Sequence, residues 1–303
     1  MRGYARSFYA ALTGSRAAVL TVIVATVLSS WTVQPARAHL FPPDLAFYGP
    51  FGGPTVRCQR ALGHAAQRCF RRVLTAKRLC MDAELAGGTC DRSARDAEVS
   101  AAQQDGQDAV VQACLGGQLT ELRFIGFDEA KMDVARTCGD QTDAAMSVLY
   151  APVLNGGSTA AVAPTVSRCL TGTAGITQRL LQFILQLKMQ ALDHMAFSIL
   201  GPSRKNAMMA KIATRINTTR AQVITRIQQL CPAFEAAYQH DTATVLGLVE
   251  PRANCVIGAV YVQTSVACPL PVCGNGVKES GEGCDDGNRI DDDSCHNDCT
   301  TNP

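Results

Sequence analysis

Apolar residues recur at every third or fourth position through much of the chain, which is the spacing of one face of an α-helix. The pattern is clearest from Ile176 to Met195 and again from Met209 to Leu230. Gly201 and Pro202 lie between these two runs and end the first helix. The sequence therefore predicts a pair of antiparallel helices whose apolar faces form a packed core.

Cysteine spacing indicates that this helical hairpin is the second copy of a repeat. The dipeptide Arg-Cys occurs at 57–58 and again at 168–169. An interval of 24 positions then separates two later cysteines in each copy, Cys114 and Cys138 in the first and Cys231 and Cys255 in the second. On this alignment Cys255 is the counterpart of Cys138. The predicted fold is mainly α, with two disulfide-stapled helical hairpin repeats followed by a small irregular cysteine-rich module.

The N-terminus is typical of a cleaved signal peptide, with early arginines, an apolar run at 17–28 and small residues at Ala36 and Ala38. An apolar run of about 12 residues is shorter than the roughly 20 that a membrane span needs, so we expect no membrane span after cleavage. The predicted segments are the signal peptide at 1–38, a Pro-, Gly- and aromatic-rich segment at 39–56, the first helical repeat at 57–138, a linker at 139–167, the second repeat at 168–268 and the cysteine-rich module at 273–299.

All fourteen cysteines follow Ala38, and export would place them in an oxidising compartment where seven disulfides are expected. Residues that are equidistant from a hairpin turn face each other across it. This symmetry predicts three pairs, which are Cys58 with Cys114, Cys80 with Cys90, and Cys169 with Cys231.

The remaining cysteines before the tail are assigned by elimination. Cys58, Cys69 and Cys80 are spaced by eleven, and a rise of about 16 Å between neighbours prevents pairing along one helix. Cys69 is therefore predicted to pair with Cys138. Leu180 stands at the Cys69 position of the second copy. That substitution leaves Cys255 and Cys268 as the last predicted pair before the tail.

The tail contains "CGNG" at 273–276, then Glu279, Gly281 and Glu282, then "CDDGN" at 284–288, and closes with Cys295 and Cys299. These motifs resemble the Myxococcus cysteine-rich repeat, a module found near the ends of secreted and surface proteins of myxobacteria and related bacteria. This chain has "DDDSC" at 291–295 where that family usually carries "DGDGC". The helical part resembles repeats of uncharacterised secreted bacterial proteins, which implies no activity. Four tail cysteines can pair in three ways, and we favour Cys273 with Cys295 and Cys284 with Cys299.

The same tail places six carboxylates and one amide between residues 282 and 293. Such a density of like charges repels itself unless solvent or a cation intervenes, and calcium accepts six to eight oxygen ligands in flexible geometry. The predicted calcium ligands are Asp285, Asp286, Asn288, Asp291 and Asp293. The alternative is a solvated acidic loop that only its disulfides hold in place.

Charge and motif content narrow the function. The formal net charge is only +2, whereas proteins that bind nucleic acid or anionic membranes carry a strongly basic surface. We therefore expect neither kind of partner. The five histidines lie in no sequence motif that places a base beside a nucleophile. We expect a non-enzymatic structural or interaction protein, either extracellular or in the periplasm or cell envelope, which presents its helical surface to another macromolecule. The alternative is a secreted hydrolase or inhibitor with an unrecognised site.

Overall fold

The computed structural model describes residues 49–154, 162–261 and 283–284. Within these residues every regular element is a helix, and four disulfides join helices or helix ends, so the predicted mainly-α, disulfide-stapled class is confirmed. Three predicted segments lie wholly or mostly outside the described residues. They are the signal peptide at 1–38, the Pro-, Gly- and aromatic-rich segment at 39–56 and the cysteine-rich module at 273–299.

The helices fall into two units joined by a short helix. The first unit contains α1 (Gly53–Leu85), α2 (Arg92–Ala113), α3 (Gly116–Glu121) and α4 (Phe127–Leu149). The short connecting helix is α5 (Ala151–Leu154). The second unit contains α6 (Pro164–Phe197), α7 (Pro202–Leu230), α8 (Phe234–Tyr238) and α9 (Thr242–Val260).

Helix starts follow from the local sequence. Pro164 and Pro202 are the first residues of α6 and α7, where the missing N–H costs no hydrogen bond. Asp91 and Asp241 precede α2 and α9, and each carboxylate accepts a hydrogen bond from a backbone N–H in the first turn, at 2.9 and 2.6 Å.

Each unit has a third long helix that the sequence did not predict. Residues 139–149, which the sequence assigned to the linker, form the second half of α4. Small and polar residues interrupt the apolar periodicity there. The matching helix α9 carries Pro251 in its interior, a residue that argues against a helix when the sequence is considered alone.

The two units share one register, because residues of the first and third helices recur 111 positions later. Tyr150 follows α4 and Tyr261 follows α9, and both side chains are buried. The Tyr150 hydroxyl donates to Asp82 at 2.5 Å, and the Tyr261 hydroxyl donates to Asp193 at 2.8 Å. Each tyrosine stands 68 positions after its aspartate. The repeat is therefore present in three-dimensional contacts as well as in cysteine spacing.

A second contact repeats in the same register. Lys77 of α1 binds Asp143 of α4, and Lys188 of α6 donates to Asn254 of α9 at 2.6 Å. Both pairs are separated by 66 positions. In the second helix of each unit the offset is 117 instead, because Cys114 and Cys231 both follow the last residue of that helix.

This register corrects the predicted equivalence of Cys138 and Cys255. The second copy is six residues longer before Cys231 and six residues shorter after it, so the counterpart of Cys138 is Val249. The equal interval of 24 is a coincidence of these two length changes. A disulfide between Cys69 and Cys138 in the first unit is thus replaced by buried Leu180 and Val249 in the second.

The two units pack together around one core. α1 packs against α6, and α4 packs against α9. Gln59 of α1 donates to the Val260 carbonyl, and the Tyr238 hydroxyl donates to the Leu149 carbonyl, both at 2.7 Å. α9 is long and apolar enough to cross a membrane by length and composition, and here it packs as a core helix against α4 and α6.

Candidate functional site

Disulfides fix the geometry of both units. The structure contains the pairs Cys58–Cys114, Cys69–Cys138, Cys80–Cys90 and Cys169–Cys231, which are the pairs that the sequence predicted among these cysteines. Cys255 and Cys284 are also disulfide-bonded, and the predicted partners Cys268 and Cys299 lie outside the described residues. Several disulfides in one chain indicate an oxidising environment.

A cavity of about 420 Å³ opens in the first unit between the second half of α1, the first half of α2 and α4. Its walls combine three cations, three carboxylates, three apolar side chains and one disulfide sulfur. The lining residues are Lys77, Cys80, Met81, Glu84, Arg92, Arg95, Asp96, Val99, Asp143 and Met146.

Every cation of the cavity is paired with one of its carboxylates. The Arg92 guanidinium lies 3.0 Å from the Glu84 carboxylate, and the Lys77 ammonium binds Asp143. The third pair is Arg95 with Asp96, at 2.8 Å. The cavity is therefore highly polar but has no net formal charge.

The second unit has no such polar wall at the corresponding positions. Of the ten lining residues only the lysine recurs, as Lys188, and Asn254 replaces Asp143. Glu84 is replaced by Met195 and Arg95 by Ile212, and both replacements are buried. The apolar residues at the corresponding positions are Ala191, Leu192, Met195, Met209, Ile212, Ala213, Ile216 and Ile257. The same location is thus packed core in one unit and a charged cavity in the other.

Helix length accounts for part of this difference. α7 begins at Pro202, whereas α2 begins at Arg92, seven residues later in the shared register. The first unit has a loop at 86–91 in place of those helical turns, and the Cys80–Cys90 disulfide ties this loop to α1. The Arg95 guanidinium lies 3.8 Å from the Cys80 sulfur.

One trio near the cavity has metal-like spacing but the wrong chemistry. The sulfurs of Cys80 and Cys90 and a carboxylate oxygen of Glu84 lie within 4.8 Å of one another. Metals bind the thiolate form of cysteine, and these two sulfurs are joined in a disulfide. The trio therefore offers a single carboxylate ligand.

Beside the cavity, a polar network crosses from α1 to α4 and α6. Asp82 accepts hydrogen bonds from Tyr150 and Arg78, and Arg78 also donates to Gln178 of the second unit at 2.6 Å. Burial raises the pKa of Asp82, while the Tyr150 and Arg78 contacts lower it in part. Burial and the Asp82 contact raise the pKa of Tyr150 far above its usual value. These groups hold the two units in register.

The predicted calcium ligands Asp285, Asp286, Asn288, Asp291 and Asp293 lie outside the described residues. Sequence reasoning missed the cavity, because its residues come from three helices and form no motif. A comparison of the two copies identifies the cavity. When they are aligned with offsets of 111 and 117 residues, charged residues of the first unit correspond to apolar residues of the second.

Comparisons with known proteins assign no function. Residues 254–300 match a domain of unknown function (DUF4215), which covers the last seven residues of α9 and nearly the whole tail. Neither the curated proteins nor the solved structures contain a match to the chain.

Proposed function

We propose that the protein is a secreted or cell-envelope binding protein without catalytic activity, in which the duplicated helical body is a rigid scaffold and the first unit carries the ligand cavity. The observation that carries the proposal is the difference between the two copies. The second unit has apolar side chains at the corresponding positions, where α7 begins seven residues earlier and the location is packed core. The first unit instead leaves this location open and lines it with charged side chains, which are the proposed ligand-binding groups.

The disulfides support a binding role outside the cell. Cys80–Cys90 and Cys69–Cys138 hold α1 to the loop before α2 and to α4, the elements that form the cavity walls. A cavity whose walls are fixed in advance loses little conformational entropy when a ligand binds. Disulfides of this kind persist after export into an oxidising compartment.

The tail has a separate role in this proposal. It is a Myxococcus-type cysteine-rich repeat that binds calcium weakly through some of Asp285, Asp286, Asn288, Asp291 and Asp293, and the ion orders the module. Its carboxylate density and its glycines at 283 and 287 support this assignment.

The test of ligand binding is thermal unfolding of the oxidised chain in the presence of a library of small metabolites and short peptides. A ligand stabilises the protein by RT ln(1 + [L]/Kd), so a concentration-dependent rise in Tm is expected for at least one chemical class. The Arg95→Ile variant introduces the residue found in the second unit and should abolish that rise. If no class raises the Tm, the proposed binding function is wrong, and product formation from any library member would contradict its non-catalytic part.

A further inference from the structure

We infer that the ligand of the first-unit cavity is a free α-amino acid with an apolar side chain. This inference rests on the proposed binding function and specifies its ligand. It comes from the arrangement of buried and exposed charges in the three ion pairs Lys77–Asp143, Arg92–Glu84 and Arg95–Asp96.

Each ion pair has one partner held in the wall and one partner open to solvent. The side chains of Lys77, Arg95 and Glu84 are 18, 29 and 17% exposed, whereas their partners are 50 to 69% exposed. Ion pairs with a solvent-exposed partner contribute little to stability, so that partner is released into water at small cost. The wall then presents two cations and one anion to a ligand.

A zwitterion pairs with Arg95 and Glu84, while Lys77 keeps Asp143. Its carboxylate replaces Asp96 on Arg95, and its ammonium replaces Arg92 on Glu84. Both replacements exchange one charge-assisted hydrogen bond for another in a less exposed setting. A ligand of single charge replaces only one of the outer partners.

The separation of the inner groups limits the ligand's length. The Arg95 guanidinium lies 3.8 Å from the Cys80 sulfur, and the Glu84 carboxylate lies within 4.8 Å of that sulfur. The cation and the anion are therefore at most about 9 Å apart, so the two charges of a ligand that lies between them are separated by at most about 3 Å after two hydrogen bonds of normal length. The ammonium and carboxylate of an α-amino acid lie within this limit, whereas those of longer zwitterions do not.

The remaining wall accommodates an apolar side chain. Met81, Val99 and Met146 complete the lining, and methionine adapts its shape to varied apolar groups. A cavity of about 420 Å³ is large enough for a whole amino acid. The chemistry therefore favours aliphatic over acidic or basic amino acids.

The test uses the full oxidised chain and isothermal titration with L-leucine and two analogues that each lack one charged group. The analogues are 4-methylpentanoate, which lacks the ammonium, and 3-methylbutylamine, which lacks the carboxylate. We expect L-leucine to bind at least tenfold more tightly than either analogue. L-Glutamate and L-lysine should bind more weakly than L-leucine by a similar factor.

The Glu84→Gln variant tests the contact with the ligand's ammonium separately from the contact with its carboxylate. This variant should weaken L-leucine at least tenfold and leave any binding of 4-methylpentanoate unchanged, because only the ammonium contacts Glu84. Glu235→Gln, at an exposed position of α8 in the second unit, is the matched control and should change neither affinity. Circular dichroism and non-reducing peptide mapping verify that each variant is folded and correctly paired.

The outcomes separate this inference from the proposal beneath it. Equal binding of L-leucine and one analogue, or a Glu84→Gln variant with unchanged affinity for L-leucine, would overturn the amino-acid assignment. Tight binding of a dipeptide or a multiply charged anion in place of leucine would also overturn it, while the binding function would stand. Absence of binding by every library member contradicts both.

Discussion

The buried disulfide of the first unit and its apolar replacement in the second define a direct exchange experiment. Cys69 and Cys138 are both fully buried, and in the shared register their counterparts are Leu180 and Val249. We compare the Cys69→Ala/Cys138→Ala variant with the Cys69→Leu/Cys138→Val variant. The first removes the cross-link and leaves gaps, and the second removes the cross-link but supplies the side chains of the second unit.

The magnitude follows from the loop that the disulfide closes. Because Cys58–Cys114 is already formed, the shortest covalent path from Cys69 to Cys138 runs through that bond, over 11 and then 24 positions. A loop of about 35 residues corresponds to about 4 kcal/mol in the chain-entropy account. Each truncation to alanine adds about 1 kcal/mol for the gap left in the core.

The Ala/Ala variant should therefore lose about 6 kcal/mol of unfolding free energy, and the Leu/Val variant about 2 kcal/mol less than that. Urea denaturation followed by circular dichroism measures both, and the Ala/Ala loss corresponds to a fall in Tm of roughly 12–24 °C for a domain of this size. If the Leu/Val variant is no more stable than Ala/Ala, the equivalence of these positions in the two units is wrong. If the Ala/Ala variant unfolds at the same urea concentration as the wild type, the cross-link does not stabilise the fold.

Three further outcomes are expected. A Cβ at Gly63 would lie 2.4 Å from the buried Tyr261 hydroxyl, so Gly63→Ala should destabilise by about 2–4 kcal/mol, while Gly175→Ala, where the nearest atom is 3.8 Å away, should be neutral or gain up to about 1 kcal/mol; denaturant midpoints compare the two. Burial raises the pKa of Asp193, whose folded state therefore favours the protonated form. The protonated Asp193 carboxyl makes its full contribution to the free energy of unfolding below about pH 4, and this contribution is lost as the pH rises through the folded pKa. Asp193→Asn should therefore be more stable than the wild type at pH 7.5 and equally stable at pH 3.5. The reverse order would refute the argument. Calcium titrated into the full chain should bind with a Kd of about 10⁻⁴ to 10⁻³ M and more weakly to Asp285→Asn, with the helical circular dichroism unchanged; no heat in this range would leave the tail as a solvated acidic loop.

The sequence predicts those features that depend on local periodicity and on symmetry about a turn. The helix from Ile176 to Met195 and the disulfides Cys58–Cys114, Cys80–Cys90 and Cys169–Cys231 follow from such rules, and Cys69–Cys138 then follows by elimination. The third helix of each unit does not, because α4 is rich in small residues and α9 contains Pro251, and tertiary packing outweighs these local preferences. The equivalence of Cys255 and Cys138 was wrong because two compensating length changes restore the interval without restoring the position.

The candidate site was beyond single-sequence reasoning for a different reason. Lys77, Arg95 and Asp143 belong to three helices, and only the fold brings them to one cavity. In the sequence each is an ordinary charged residue on a helix, which is most often a solvated surface position. The contrast of Arg95 and Asp143 with Ile212 and Asn254 becomes visible only after the offsets of 111 and 117 are known.

The distribution of disulfides determines how the two units depend on each other. All six cysteines before residue 155 pair among themselves, so the backbone is the only covalent connection between the first unit and the rest of the chain. Cleavage at a protease site introduced within 155–161 should therefore yield two fragments that co-elute in gel filtration, held by the shared core, yet run separately in a non-reducing denaturing gel. Expressed apart, each fragment would expose the apolar faces that α1 and α4 bury against α6 and α9, and only mixing the two would restore a soluble, cooperatively folded protein. The two units therefore behave like the subunits of a heterodimer joined in one chain, and fragment complementation tests this dependence directly.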